Sequence, residues 1–72
     1  MTLHELEQAV AKLVPAGWYK SVGWEIDHFA SGVREEEWKV YASEAPGASA
    51  IATGKTPESA LERFREKLEE VL

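Results

Sequence analysis

The chain reads as an α+β domain of order helix–strand–strand–strand–helix (αβββα). Its three strands form an antiparallel sheet, and both helices pack on one face of it. Three observations predict this. Apolar residues recur at helical spacing before Pro15 and after Pro57. Between them the period changes to two, around Trp24 and again around Trp38. Turn residues punctuate the changes, at Pro15-Ala16-Gly17, Ser31-Gly32, Pro46-Gly47 and Gly54. The 72 residues form one domain, with helices over about 3–14 and 57–71 and strands over about 18–29, 34–44 and 48–53.

Each element has a local reason. Thr2 is a good N-cap, and Glu5 stands where a capping box needs an acid, with Met1 and Leu6 placed for the accompanying apolar staple. Leu3, Leu6, Val10, Leu13 and Val14 then make one stripe that Pro15 ends. Trp18, Val22, Trp24 and Ile26 share one face of the first strand; Tyr19, Ser21, Gly23, Glu25 and Asp27 take the other. Gly23 suggests a bulge or a close backbone approach. In the second strand Trp38, Val40 and Ala42 oppose Glu35, Glu37, Lys39, Tyr41 and Ser43. The third strand holds Ile51 and otherwise small residues. At about 25 cal/mol per Å², Ala48, Ser49, Ala50 and Ala52 gain little by burial, which makes it the weak point of the fold and, as an edge, open to a second copy or another protein. Thr56 caps the last helix, Pro57 suits its first position, and Glu58 suits the positive end of its dipole. Leu61, Phe64, Leu68 and Leu72 form its stripe, with Ala60 and Val71 beside it.

The tryptophan face of the sheet is the surface for both helix stripes to cover. Trp24 and Trp38 are therefore expected in the core, and Trp18, at a strand start, is expected to be the most exposed of the three. The opposite face is left open, carrying Glu25, Asp27, Glu35 and Glu37 beside Tyr19 and Tyr41, with Lys39 as the main counter-charge.

Composition narrows the function classes. Thirteen acids against eight bases give a formal net charge of -5, which disfavours polyphosphate partners and favours a basic protein. A chain this short buries only about 60% of its unfolded surface, so a thin core and marginal stability are expected. It has no cysteine, which excludes disulfides and thiolate metal sites and fits a reducing cytoplasm. No apolar run approaches the roughly 20 residues that cross a bilayer, so no membrane role is expected.

Motifs for chemistry are sparse. Gly54-Lys55-Thr56 resembles the end of a phosphate-binding loop, but Ser49 stands where that loop needs glycine. Strand end plus helix cap is the better reading. His4 and His28 are the only histidines, and His4 with Glu7 offers too few ligands for zinc. No nucleophile sits beside a base and an orienting group. No catalytic residue, metal or cofactor is assigned.

Two resemblances add to this. The order of elements resembles the double-stranded-RNA-binding domain over nearly the whole chain. In that family a lysine cluster opens the second helix; the matching segment here is Lys55-Thr56-Pro57-Glu58-Ser59-Ala60, with a single lysine. The resemblance implies a nucleic-acid surface drawn from Lys12, Arg34 and Lys55. The segment from Trp38 to Leu68 resembles HicB-type antitoxin domains and small phage or prophage proteins. It carries Pro46-Gly47 and then Gly54-Lys55-Thr56-Pro57-Glu58-Ser59-Ala60-Leu61. That likeness implies a small acidic regulator that occupies another macromolecule.

The leading expectation is a non-enzymatic binding module or inhibitor that takes a protein partner through Trp18, Glu25, Asp27, Glu35, Glu37 and Tyr41, with a homodimer through the third strand as a further expectation. A double-stranded-RNA binder is the second class, and a small-ligand binder with an aromatic pocket at a dimer interface is the third.

Overall fold

The structure is a computed structural model that describes residues 1–44 and 46–72. Its elements are α1 (Leu3–Leu13), β1 (Tyr19–His28), β2 (Arg34–Ser43), β3 (Ser49–Gly54) and α2 (Pro57–Val71). The strands form one antiparallel sheet in the order β1-β2-β3. Both helices lie on one face, α1 over β1 and α2 over β3 and β2, and they touch each other.

Local chemistry sets the helix starts. The Thr2 N–H donates to Glu5 Oε1 at 3.0 Å, and the Glu5 N–H donates back to Thr2 Oγ1 at 3.2 Å. The two bonds satisfy donors that a helix start leaves without partners. Thr56 and Ser59 make the same reciprocal pair at α2, at 3.3 and 3.1 Å, with Pro57 inside the first turn. The backbone hydrogen bond to Glu5, with the Thr2 hydroxyl second, holds its carboxyl below the ordinary 4.5. The Met1 ammonium lies 3.0 Å from Glu58 Oε1 and ties the two helix starts together. That bond lowers the Glu58 pKa and raises that of the amino group. The Met1 side chain stays exposed.

The core consists of Leu6, Val10 and Val14 from α1, Val40, Ala42, Ala50 and Ala52 from the sheet, and Ala60, Phe64 and Leu68 from α2. Trp18, Val22, Trp38, Leu13 and Leu61 pack around it. The stripes fray at their ends, for Leu3, Val71 and Leu72 are exposed.

Four expectations change. First, the small residues of β3 have a packing role: Ala50 and Ala52 face inward under α2, while Ile51 points out. The approach is closest at Gly54, where a Cβ would run into Ser59 Oγ and come within 2.6 Å of the Ala60 nitrogen. Second, Gly23 marks neither a bulge nor a close approach. The β1–β2 register is unbroken from Tyr19↔Ser43 to His28↔Arg34, and a Cβ on Gly23 would meet open space. Third, Trp24 is not core. It pairs with Trp38 across the strands at 5.7 Å but remains 47% exposed, whereas Trp18 is half-buried against the core. Fourth, β1 and β2 run past β3. The last partner of β3 is Trp38, so Glu25 to His28 and Arg34 to Glu37 form a two-stranded arm.

The arm ends in a three-residue loop, Ala30–Gly32, closed by the Phe29 N–H to the Val33 carbonyl at 2.9 Å. The Gly32 N–H bonds the Phe29 carbonyl at 2.9 Å, and Gly32 has φ 87°, where a side chain is disfavoured. The arm makes the molecule long, with principal extents of 42 × 23 × 17 Å. Its radius of gyration is 13.1 Å, against about 11 Å for a compact chain of this length.

Two predictions follow from this packing. Gly54→Ala should lower stability by about 1–3 kcal/mol, as overpacking does, while Gly23→Ala should not lower it. Urea unfolding of the two variants tests the pair, and equal losses would refute the close approach. For Glu5, the lowered folded pKa means that its contribution is complete above 4.5 and is lost as pH falls through the folded value. Glutamine can make the same capping bonds without titrating. Melting curves on acidification should therefore show a steeper loss for the native chain than for Glu5→Gln.

Candidate functional site

The open face of the sheet has two zones. Over the three-stranded part lie Tyr19, Tyr41 and Ile51, brought together by the pairing of Ser21 with Tyr41 and of Tyr41 with Ile51. The tyrosine rings meet edge to face at 5.9 Å. Tyr19 is 60% exposed and Ile51 54%. Over the arm lie four carboxylates. Glu25 is directly opposite Glu37, and Asp27 directly opposite Glu35. Between the zones is the row Gly23, Lys39, Thr53.

Like charges directly opposite each other across an antiparallel pair destabilise it. Here two such pairs are adjacent, and none of the four acids forms a salt bridge among the described residues. Lys39, the expected counter-charge, forms none either. One base in the arm is already used, since Arg34 Nη1 binds Glu36 Oε1 at 2.9 Å on the helix-side face. Carboxylate oxygens of Glu25, Asp27 and Glu37 lie within 4.8 Å of one another. Calcium takes 6–8 oxygen ligands at most sites, and these three side chains stand exposed or half-exposed. Ammonium and guanidinium groups, which bring several donors each, fit such a row of acceptors directly.

A shallow depression of about 160 Å³ opens among Gly23, Trp24, Glu25, Glu37 and Lys39. Gly23 has no side chain, and that leaves the space. Pockets for drug-sized ligands span about 300–1,000 Å³, so this one matches a single side-chain head.

Of the residues expected to bind a partner, Glu25, Asp27, Glu35, Glu37 and Tyr41 come together on one face. Trp18 does not join them, because it has the parity of Val22 and packs against the core. Sequence reasoning left Ile51 out of the site. The signal was available: it is the only large residue in a strand of small ones, and a helix seated on the small ones leaves the large one outside.

Lys12, Arg34 and Lys55 do not converge, although Lys12 shares a depression on the α1 side with Arg65. Lys12 is in the last turn of α1, which leads into the start of β1. Arg34 pairs with His28 at the far end of β1, roughly 30 Å along a strand of this length. Lys55 lies at the β3–α2 junction, level with the middle of the sheet. His4 and His28 are on different elements, and the imidazole of neither has a hydrogen-bond partner among the described residues. No described helix is long and apolar enough to cross a membrane.

Comparison with known proteins finds no matching family model, no matching curated protein and no matching solved structure.

If the opposed acids repel each other, Glu37→Gln should stabilise the chain by about 0.2–1 kcal/mol. Added salt should raise the melting temperature of the native chain more than that of the variant. A loss of stability in Glu37→Gln would show that the carboxylate has a favourable partner.

Proposed function

We propose that this chain is a non-enzymatic binding module that acts by occupying a basic protein partner with the open face of its sheet. The observation that carries the reading is the pair of uncompensated like-charge contacts, Glu25 with Glu37 and Asp27 with Glu35. They cost the free protein stability, and a cationic partner converts that cost into attraction. The neighbouring Tyr19, Tyr41 and Ile51 supply the apolar and aromatic area that interfaces favour. Acids on the arm steer and orient the partner, and the aromatic zone holds it.

The reading places the chain among small acidic regulators and inhibitors, the class implied by its likeness to HicB-type and phage proteins. The RNA reading ranks below it. Affinity for a polyanion comes from several bases acting on one backbone, and Lys12, Arg34 and Lys55 stand on separate parts of the fold. The small-ligand reading ranks third, because the depression beside Trp24 has only about 160 Å³ and the larger one, about 410 Å³ beside α1, is lined by no aromatic residue.

The test is calorimetric titration of the chain with a lysine- and arginine-rich polypeptide and, separately, with double-stranded RNA at low salt. The polypeptide should bind, and the variant Glu25→Gln/Asp27→Asn/Glu35→Gln/Glu37→Gln should bind at least about tenfold more weakly, a loss of about 1.4 kcal/mol. Binding that the variant retains in full, or tight salt-sensitive binding of the RNA, would overturn the reading.

A further inference from the structure

We propose that the partner is an extended segment that joins the sheet as a fourth strand along the free edge of β1, with side chains that alternate between apolar and basic. The inference rests on the reading of the open face given above and adds the geometry of docking.

The phase of the ladder shows which backbone groups are free. Antiparallel pairs alternate between those that exchange hydrogen bonds and those that do not. The Phe29–Val33 bond at 2.9 Å places the odd-numbered residues of β1 in the bonded set. Lys20, Val22, Trp24, Ile26 and His28 therefore direct their N–H and C=O groups away from the sheet. This edge is ten residues long, unbulged and free of proline, and within it only Lys20 carries a fixed positive charge. Natural edges are usually short, bulged or guarded by charge.

The other edge is different. The Glu44 N–H bonds the Ala48 carbonyl at 2.9 Å, which makes Ser49, Ile51 and Thr53 the outward residues of β3. The outward Thr53 carbonyl accepts from Arg63 Nη1 at 3.0 Å. The strand that sequence reasoning offered for pairing is thus short and partly occupied, and the open edge is on the opposite side of the sheet.

The side chains beside the free edge specify the incoming strand. On the helix side it meets Val22, the half-exposed Trp24 and Ile26, and apolar residues suit that row. On the open side it meets Glu25 and Asp27, and lysine or arginine suits that row. The depression at Gly23 lies beside this edge, with Glu25 and Glu37 in its wall and Lys39 at its side. A second copy suits it less well, since it brings its own Glu25 and Asp27 to the same face and a net charge of -5.

The test uses the full chain and three synthetic peptides. One alternates valine with lysine, the second is the same peptide with its alternate amides N-methylated, and the third has the same composition with the alternation scrambled. The alternating peptide should bind, blue-shift Trp24 emission and protect the amides of Val22, Trp24 and Ile26 from exchange. N-methylation, scrambling, or Ile26→Pro measured against Ile26→Ala should each weaken binding by at least about tenfold, the scale of one or two lost hydrogen bonds. Melting curves establish that both Ile26 variants fold. If the three peptides bind equally, the acidic face stands and strand addition falls. If none binds, both fall. If the amides of β1 become protected with rising protein concentration alone, the edge belongs to a second copy and the proposal is overturned.

Discussion

The close seating of α2 on β3 is the constraint on which the rest of this structure depends. At Gly54 the first turn of the helix comes so near the strand that no side chain fits, and Ala50 and Ala52 are the buried residues that the rest of β3 turns toward the helix. Small residues here are therefore a condition of packing, and the apolar area they lack is supplied by Phe64 and Leu68 from above. The same seating ends the sheet's third strand. Across the row Trp24, Trp38, Gly54, side-chain bulk grows as the helix recedes. Trp38 packs against the core beside α2, and Trp24, one strand further out, is half exposed.

Much of this was legible in the residues. The Thr2–Glu5 capping box, the Thr56 cap, the helix limits, the hairpin glycines and the faces of every strand follow from local spacing, because each depends on atoms a few bonds apart. The position of Trp24 does not, for alternation reports which face a residue takes and not whether anything covers that face. Length arithmetic could have shown it. The eleven residues of α1 span about 16 Å as helix, while the ten of β1 span about 33 Å as strand. A roof half as long as the floor leaves one end bare. Ile51 was missed for a related reason, since alanine was read as weak packing when it was the imprint of a helix. The open edge of β1 needed the hydrogen-bond phase, which coordinates supply and spacing does not.

The arm has opposite faces with opposite characters. One bears four acids; the other bears Ile26, with Arg34 and Glu36 paired beside it and Trp24 and Trp38 at the base of the arm. A two-stranded ribbon is marginal in water on its own. This one is anchored at its base by the continuous ladder into the three-stranded sheet. Its residues lie outside the core cluster of Leu6, Val10, Val40 and Phe64.

Spacing decides how these charges act in salt. At physiological ionic strength the screening length is about 8 Å. Directly opposed residues in neighbouring strands have Cβ atoms about 5 Å apart, and residues two apart along a strand are about 7 Å apart. Glu25, Asp27, Glu35 and Glu37 all lie within such distances of their neighbours. A partner therefore meets them as one multiply charged site. Lys12 and Arg34, separated by most of the length of β1, are screened from each other. An even sprinkling of the same residues would give the same net charge without this asymmetry. The register of one hairpin gathers these four acids on one face, an arrangement that the total of -5 does not convey.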